Sequence, residues 1–139
     1  MWTQSYSILT NEVSKEQMWK LFADVNNWHK WDEGIEYAKL DGTFEQGNYL
    51  DLKPKGGPKV KIQLYETIEN KKFVDLTRFP FAKMYGEHTF IETPHGLKIT
   101  TTMTVKGPLS FLWVKLVAKG IAENLPKEML QQIIAAKKL

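Results

Sequence analysis

Cysteine is absent from the 139 residues. That excludes disulfides, thiolate chemistry and cysteine-based zinc sites. Arginine is almost absent: Arg78 is the only one. Nucleic-acid binders usually carry a strong basic stripe with Arg. Here the net charge is +3, and it arises wholly from residues 109–139, so nucleic acid is not an expected partner. No apolar run approaches the ~20 residues that cross a bilayer, and stable membrane insertion is not expected. Met1-Trp2-Thr3-Gln4-Ser5 has neither a basic nor a long apolar stretch, which predicts no signal peptide. A cytoplasmic location is the expectation.

Metal-ligand spacing is lacking too. The three histidines form no His-x-His or His-x-x-x-His pair, so neither metal nor cofactor is expected. Gly56-Gly57 leads into a strand rather than a helix, unlike a phosphate-cradling loop. No serine sits in a Gly-x-Ser-x-Gly elbow.

What is present is order. Residues 3–10 read as a strand. Ser14 and Gln17 make a capping-box pattern for a helix to about Ala23, with Met18, Leu21 and Phe22 as its buried stripe. Asn26 or Asn27 caps a second short helix carrying Trp28 and Trp31. Strands follow over 35–40, 49–53, 60–68, 72–79, 83–92 and 97–105, and all but 60–68 end at Gly, Pro or Asp-Gly signals. Their alternation marks antiparallel strands with one covered face. After Gly107-Pro108, residues 109–138 read as one helix, interrupted at Gly120 and Pro126. Phe111, Val114, Ala118, Ile121, Ala122, Leu125, Met129, Ile133 and Ala136 form its apolar stripe. The chain is expected to be one cup-shaped domain over 1–139.

Several motifs carry a family resemblance: Asp24-Val25-x-x-Trp28-x-x-Trp31-Asp32, Leu40-Asp41-Gly42-x-Phe44-x-x-Gly47, the Pro54-Lys55-Gly56-Gly57-Pro58 loop, and Gly107-Pro108-Leu109. With these the chain resembles the polyketide cyclase/dehydrase-type branch of the START-like (SRPBCC) superfamily. The resemblance implies an α+β helix-grip fold. A seven-stranded antiparallel sheet would wrap around a long C-terminal helix, with two short helices between the first two strands. It also implies a cavity between sheet and helix for a hydrophobic or amphipathic small molecule such as a lipid or polyketide. Such proteins often carry a second histidine near the position of Thr101, and this strand has none.

His29 and His95 are expected at the surface. His88 alternates with Met84, Gly86 and Phe90, so it would face the cavity if that face is concave. A core histidine satisfied by a neighbouring hydroxyl is the alternative. Asp75 and Arg78 lie on opposite strand faces, and a rim ion pair is expected; an inward Arg78 would instead suit an anionic ligand. The expected ligand-binding set is Trp28, Trp31, Met84, Tyr85, His88, Thr101, Met103, Ala118 and Ala122. The leading functional expectation is a small-molecule binding protein. A cyclase or dehydratase using His88 as acid/base is the enzyme alternative, and a chaperone-cofactor or interaction module is the third. The apolar face bearing Trp113 would be covered by the chain itself, by a second subunit in a homodimer or by a membrane surface.

Overall fold

The computed structural model describes residues Met1–Leu139. In chain order the elements are β1 (Trp2–Thr10), α1 (Lys15–Ala23), a 3-10 helix (Val25–Lys30), β2 (Ile35–Asp41), β3 (Tyr49–Pro54), β4 (Val60–Ile68), β5 (Lys72–Phe79), β6 (Ala82–Thr93) and β7 (Gly96–Lys106). A C-terminal helical rod follows: α2 (Ser110–Trp113), a π-helical segment (Val114–Ala118) and α3 (Lys119–Ala136).

All seven strands pair antiparallel in the order β1-β7-β6-β5-β4-β3-β2. β1 and β2 are adjacent in the chain but form opposite edges of the sheet. α1 and the 3-10 helix make the connection between them. Register shifts at Ile35/Tyr37 and Leu64/Glu66 are bulges, which bend a strand and tighten its twist. The result is the α+β helix-grip arrangement.

Local chemistry explains the helix pair. Ser14 Oγ accepts from Gln17 N at 3.1 Å, and Gln17 Oε1 accepts from Ser14 N at 2.8 Å, so two otherwise unpaired donors are satisfied reciprocally. At the other end, Trp28 Nε1 donates to Phe22 O at 3.0 Å. That bond takes up one of the carbonyls a helix C-terminus leaves unpaired and pins the second helix to the first.

The inner sheet face and the rod enclose the core. Leu64, Phe73, Ile99 and Val105 come from strands, Met18, Phe22 and Val25 from the helix pair, and Ala118, Leu125, Met129 and Ile133 from the rod. Outside, β1 and β7 carry a hydroxyl row: Ser5–Thr102 and Ser7–Thr100, each at 2.8 Å.

The rod differs from the expected helix in two ways. Gly120 and Pro126 both lie inside α3 without ending it. The departure from α geometry falls instead at Val114–Ala118. A π turn holds more residues than an α turn, so it rotates what precedes it relative to the stripe that follows. Phe111, expected on the buried stripe, is accordingly 70% exposed. Trp113 is covered from within the chain: it stacks on Phe79 at 4.4 Å, and its Nε1 donates to Pro80 O at 2.9 Å.

Candidate functional site

β5 and β6 put His88 into the interior. Alternation sets Met84, Gly86, His88 and Phe90 on the inner face, opposite Thr77, Asp75 and Phe73 of β5. On the other side His88 pairs with Thr101 and Gly86 with Met103. The imidazole stacks on Phe73 at 4.3 Å and 9° and lies 5.4 Å from the Phe22 ring.

The rim ion pair of Asp75 with Arg78 does not form. Asp75 points inward, where its Oδ2 lies 3.0 Å from His88 Nε2. Arg78 is on the other face and exposed. A carboxylate can only accept, so Nε2–H is the donor of this bond, and the imidazole tautomer that makes it presents a lone pair at Nδ1. That Nδ1 is buried and has no partner. A carboxylate that orients an imidazole while leaving its other nitrogen free is an arrangement suited to proton transfer or to gripping a ligand donor.

A second carboxyl, half-buried, comes from the rod. Glu128 of α3 has its pKa pushed up to about 8, first by burial, then by the Asp32 carboxylate beside it, and lastly by the charge of Asp75. Burial and like charges both disfavour ionisation, so this group carries a proton at neutral pH. Gln132, one turn further along α3, is 4% exposed, and its Oε1 is without a partner. The Trp31 Nε1 is likewise buried and unpaired, and its ring stands edge-on to Phe22 at 5.9 Å. Trp31 caps the 3-10 helix rather than lying within it.

The expected set therefore divides. Trp31, Met84, His88, Thr101, Met103, Ala118 and Ala122 all contribute to the interior between sheet and rod. Trp28 is buried, but its indole N–H is committed to Phe22 O. Tyr85 does not join them. Alternation turns it to the outer face, where it meets Tyr65 edge-on at 5.4 Å and lies 5.3 Å from Lys106 Nζ. His29 and His95 are exposed. Asp32, Asp75, Glu128 and Gln132 are the members that sequence reasoning missed.

No group of three or more His, Cys, Asp or Glu side chains is arranged to hold a metal ion. Two surface depressions, of about 410 Å³ and 300 Å³, lie elsewhere. The larger one lies at the Val60 end of β4, beside Lys59, Lys61 and Arg78, and reaches the inner face through Val60, Thr77 and Phe79.

An antiparallel sheet gripping a long C-terminal helix is the arrangement of the START-like class. The chain belongs to the family described as polyketide cyclase / dehydrase and lipid transport, whose model matches residues 1–136. No curated protein matches the chain in sequence. Among solved structures, a START superfamily protein from Mycobacterium smegmatis is 17% identical at a TM-score of 0.70, covering 96% of this chain and 97% of its own. A hypothetical protein from Helicobacter pylori is 9% identical at 0.76, with 96% and 87% covered. The di-domain ARO/CYC StfQ from the steffimycin biosynthetic pathway is 13% identical at 0.73, with 98% of this chain and 49% of that one covered. At these identities the likeness is one of fold. No helix is long and apolar enough to cross a membrane.

Proposed function

We propose that this protein, acting as one unit in the cytoplasm, binds a hydrophobic small molecule carrying a polar group in the interior between the sheet and the C-terminal rod. The observation that supports the reading best is that three of the four unpaired buried side-chain polar atoms, His88 Nδ1, Trp31 Nε1 and Gln132 Oε1, come from the inner sheet face, the helix pair and the rod, while the fourth, Gln63 Oε1, lies beside the larger surface depression. Buried polar groups are nearly always paired, so three unpaired ones together favour a ligand that completes them. Met84, Met103, Ala118 and Ala122 would supply apolar contact, Trp31 and Trp28 the entrance side, and His88 and Thr101 the orientation. Apolar burial would provide most of the affinity, at ~25 cal/mol per Å² before ordering costs.

Native mass spectrometry of protein purified from its own host tests this directly. A co-purified apolar molecule, bound more weakly in His88→Gln by about tenfold or less, is the expected result. One hydrogen bond contributes about 0.5–1.5 kcal/mol net. Absence of any bound molecule, together with no uptake of an apolar fluorescent probe, counts against the reading.

A second reading is acid–base catalysis of the cyclase or dehydratase type. It is favoured by one observation, the Asp75–His88 pair, whose carboxylate charge helps to keep the half-buried Glu128 carboxyl protonated. His88 would accept a proton while Glu128 donates one. Under this reading His88→Gln abolishes turnover while leaving affinity intact, and a general acid/base typically contributes 10²–10⁴-fold.

A further inference from the structure

Unpaired acceptors outnumber the unpaired donor between sheet and rod, and carboxyls outnumber basic groups there. Asp32 comes from the loop before β2, Asp75 from β5, and Glu128 from α3. The only basic group among them is His88, already bonded to Asp75. The lysine ion pairs lie elsewhere, at Lys15–Glu92, Lys53–Glu36, Lys72–Glu66 and Lys137–Glu12, and Arg78 is exposed. Independently of the carboxyls, Gln132 Oε1 is an unpartnered acceptor on the sheet-facing side of α3 at 4% exposure. His88 Nδ1 is a second unpartnered acceptor, by the same tautomer argument. Trp31 Nε1 is the lone unpaired donor.

We infer that the interior site selects a hydrophobic amine, whose protonated nitrogen is received among Asp32, Asp75, Glu128, His88 and Gln132. This inference rests on the interior-binding reading and narrows it to a chemical class. An ammonium brings up to three donors and one positive charge, which matches both the unmet acceptors and the excess of carboxyls over basic groups. A ligand carboxylate would add another negative charge to a site where Glu128 already stays protonated. An alcohol supplies one donor and no charge. The Trp31 ring adds favourable contact for a cation. An arriving ammonium also offsets the Asp32 and Asp75 charges that help to keep Glu128 protonated. Amine binding at neutral pH therefore releases a proton from Glu128, and alcohol binding does not.

The test is calorimetric titration of the full chain at pH 7 with three probes of one shape: 1-naphthylmethylamine, 1-naphthylmethanol and 1-naphthoic acid. The amine is expected to bind at least tenfold more tightly than the alcohol, and the acid most weakly. Repeating the amine titration in buffers of different ionisation enthalpy should reveal proton release approaching one per site. In Glu128→Gln the amine-to-alcohol ratio should fall to within threefold and the proton release should vanish. Asp32→Asn serves the same purpose if the first variant does not fold. Equal binding of the three probes, or tightest binding of the acid, overturns the amine inference and leaves the interior site standing. Binding by none of them overturns the interior site and the inference together.

Discussion

Asp75 and His88 are bonded diagonally across two strands: Asp75 stands opposite Gly86 and His88 opposite Phe73, yet Oδ2 and Nε2 are 3.0 Å apart. The missing side chain at Gly86 makes room for this. A Cβ there would sit 2.7 Å from Asp75 Oδ2, which no real Cβ tolerates. Glycine within a strand often marks such a close approach.

Gly86→Ala is therefore expected to push the Asp75 carboxylate off His88. A hydrogen bond to a charged group contributes about 1.5–3 kcal/mol, and a loss of that order should appear in urea denaturation. Long-range proton–nitrogen spectra of the imidazole should show that Nε2 no longer holds its bonded proton. Unchanged stability with an unchanged Nε2 signal would mean that the pair does not need the glycine.

The pH dependence follows from Glu128. Its folded pKa, about 8, lies above the ordinary 4.5. Between these values the folded chain holds a proton that the unfolded chain has lost. The stabilisation is fully present below about pH 4.5 and is lost as pH rises through about 8. Allowing for the partial exposure of Glu128, the loss between pH 5 and 8 is on the order of 3 kcal/mol. Glu128→Gln should remove this slope, which paired urea titrations across that range would measure. A wild-type slope retained in the variant would assign it to another group.

The fold was largely legible because strand alternation and turn residues are local signals. Every strand from β1 to β7 was expected within a residue or two of its place. The site was legible on one side only. His88 could be placed inward from its own strand, but its partner Asp75 depends on β5–β6 register, which no local pattern supplies. Two signals were nevertheless present. Gly86 sits in mid-strand. Gln132 occupies the same helical phase as Ala118, Ala122, Leu125, Met129 and Ala136, a polar residue on a buried stripe. The π segment had no such signature, and so the exposure of Phe111 could not be read in advance.

Leu125→Ala should destabilise the protein by roughly 2–5 kcal/mol, as large-to-small core changes do. Leu125 is 4% exposed and belongs to the main core cluster. Its place one turn before Met129 means that the rod cannot easily shift to fill the gap. A denaturant midpoint equal to that of wild type would show that the rod repacks freely.

Trp28 and Trp31 offer the sharpest contrast, since the same substitution removes the same volume from each. Trp28 Nε1 is bonded to Phe22 O, and Trp28→Phe leaves that carbonyl without its partner. A buried group left unpaired costs about 1–3 kcal/mol. Trp31 Nε1 is buried with no partner, and Trp31→Phe deletes an unmet donor, which offsets part of the lost packing. Trp31→Phe should therefore cost at least about 1 kcal/mol less than Trp28→Phe in urea denaturation. Its larger effect should fall on ligand affinity, because the donor it removes is one that a ligand would complete. If Trp31→Phe proves as destabilising as Trp28→Phe and leaves probe affinity unchanged, the Trp31 indole is part of the packing alone.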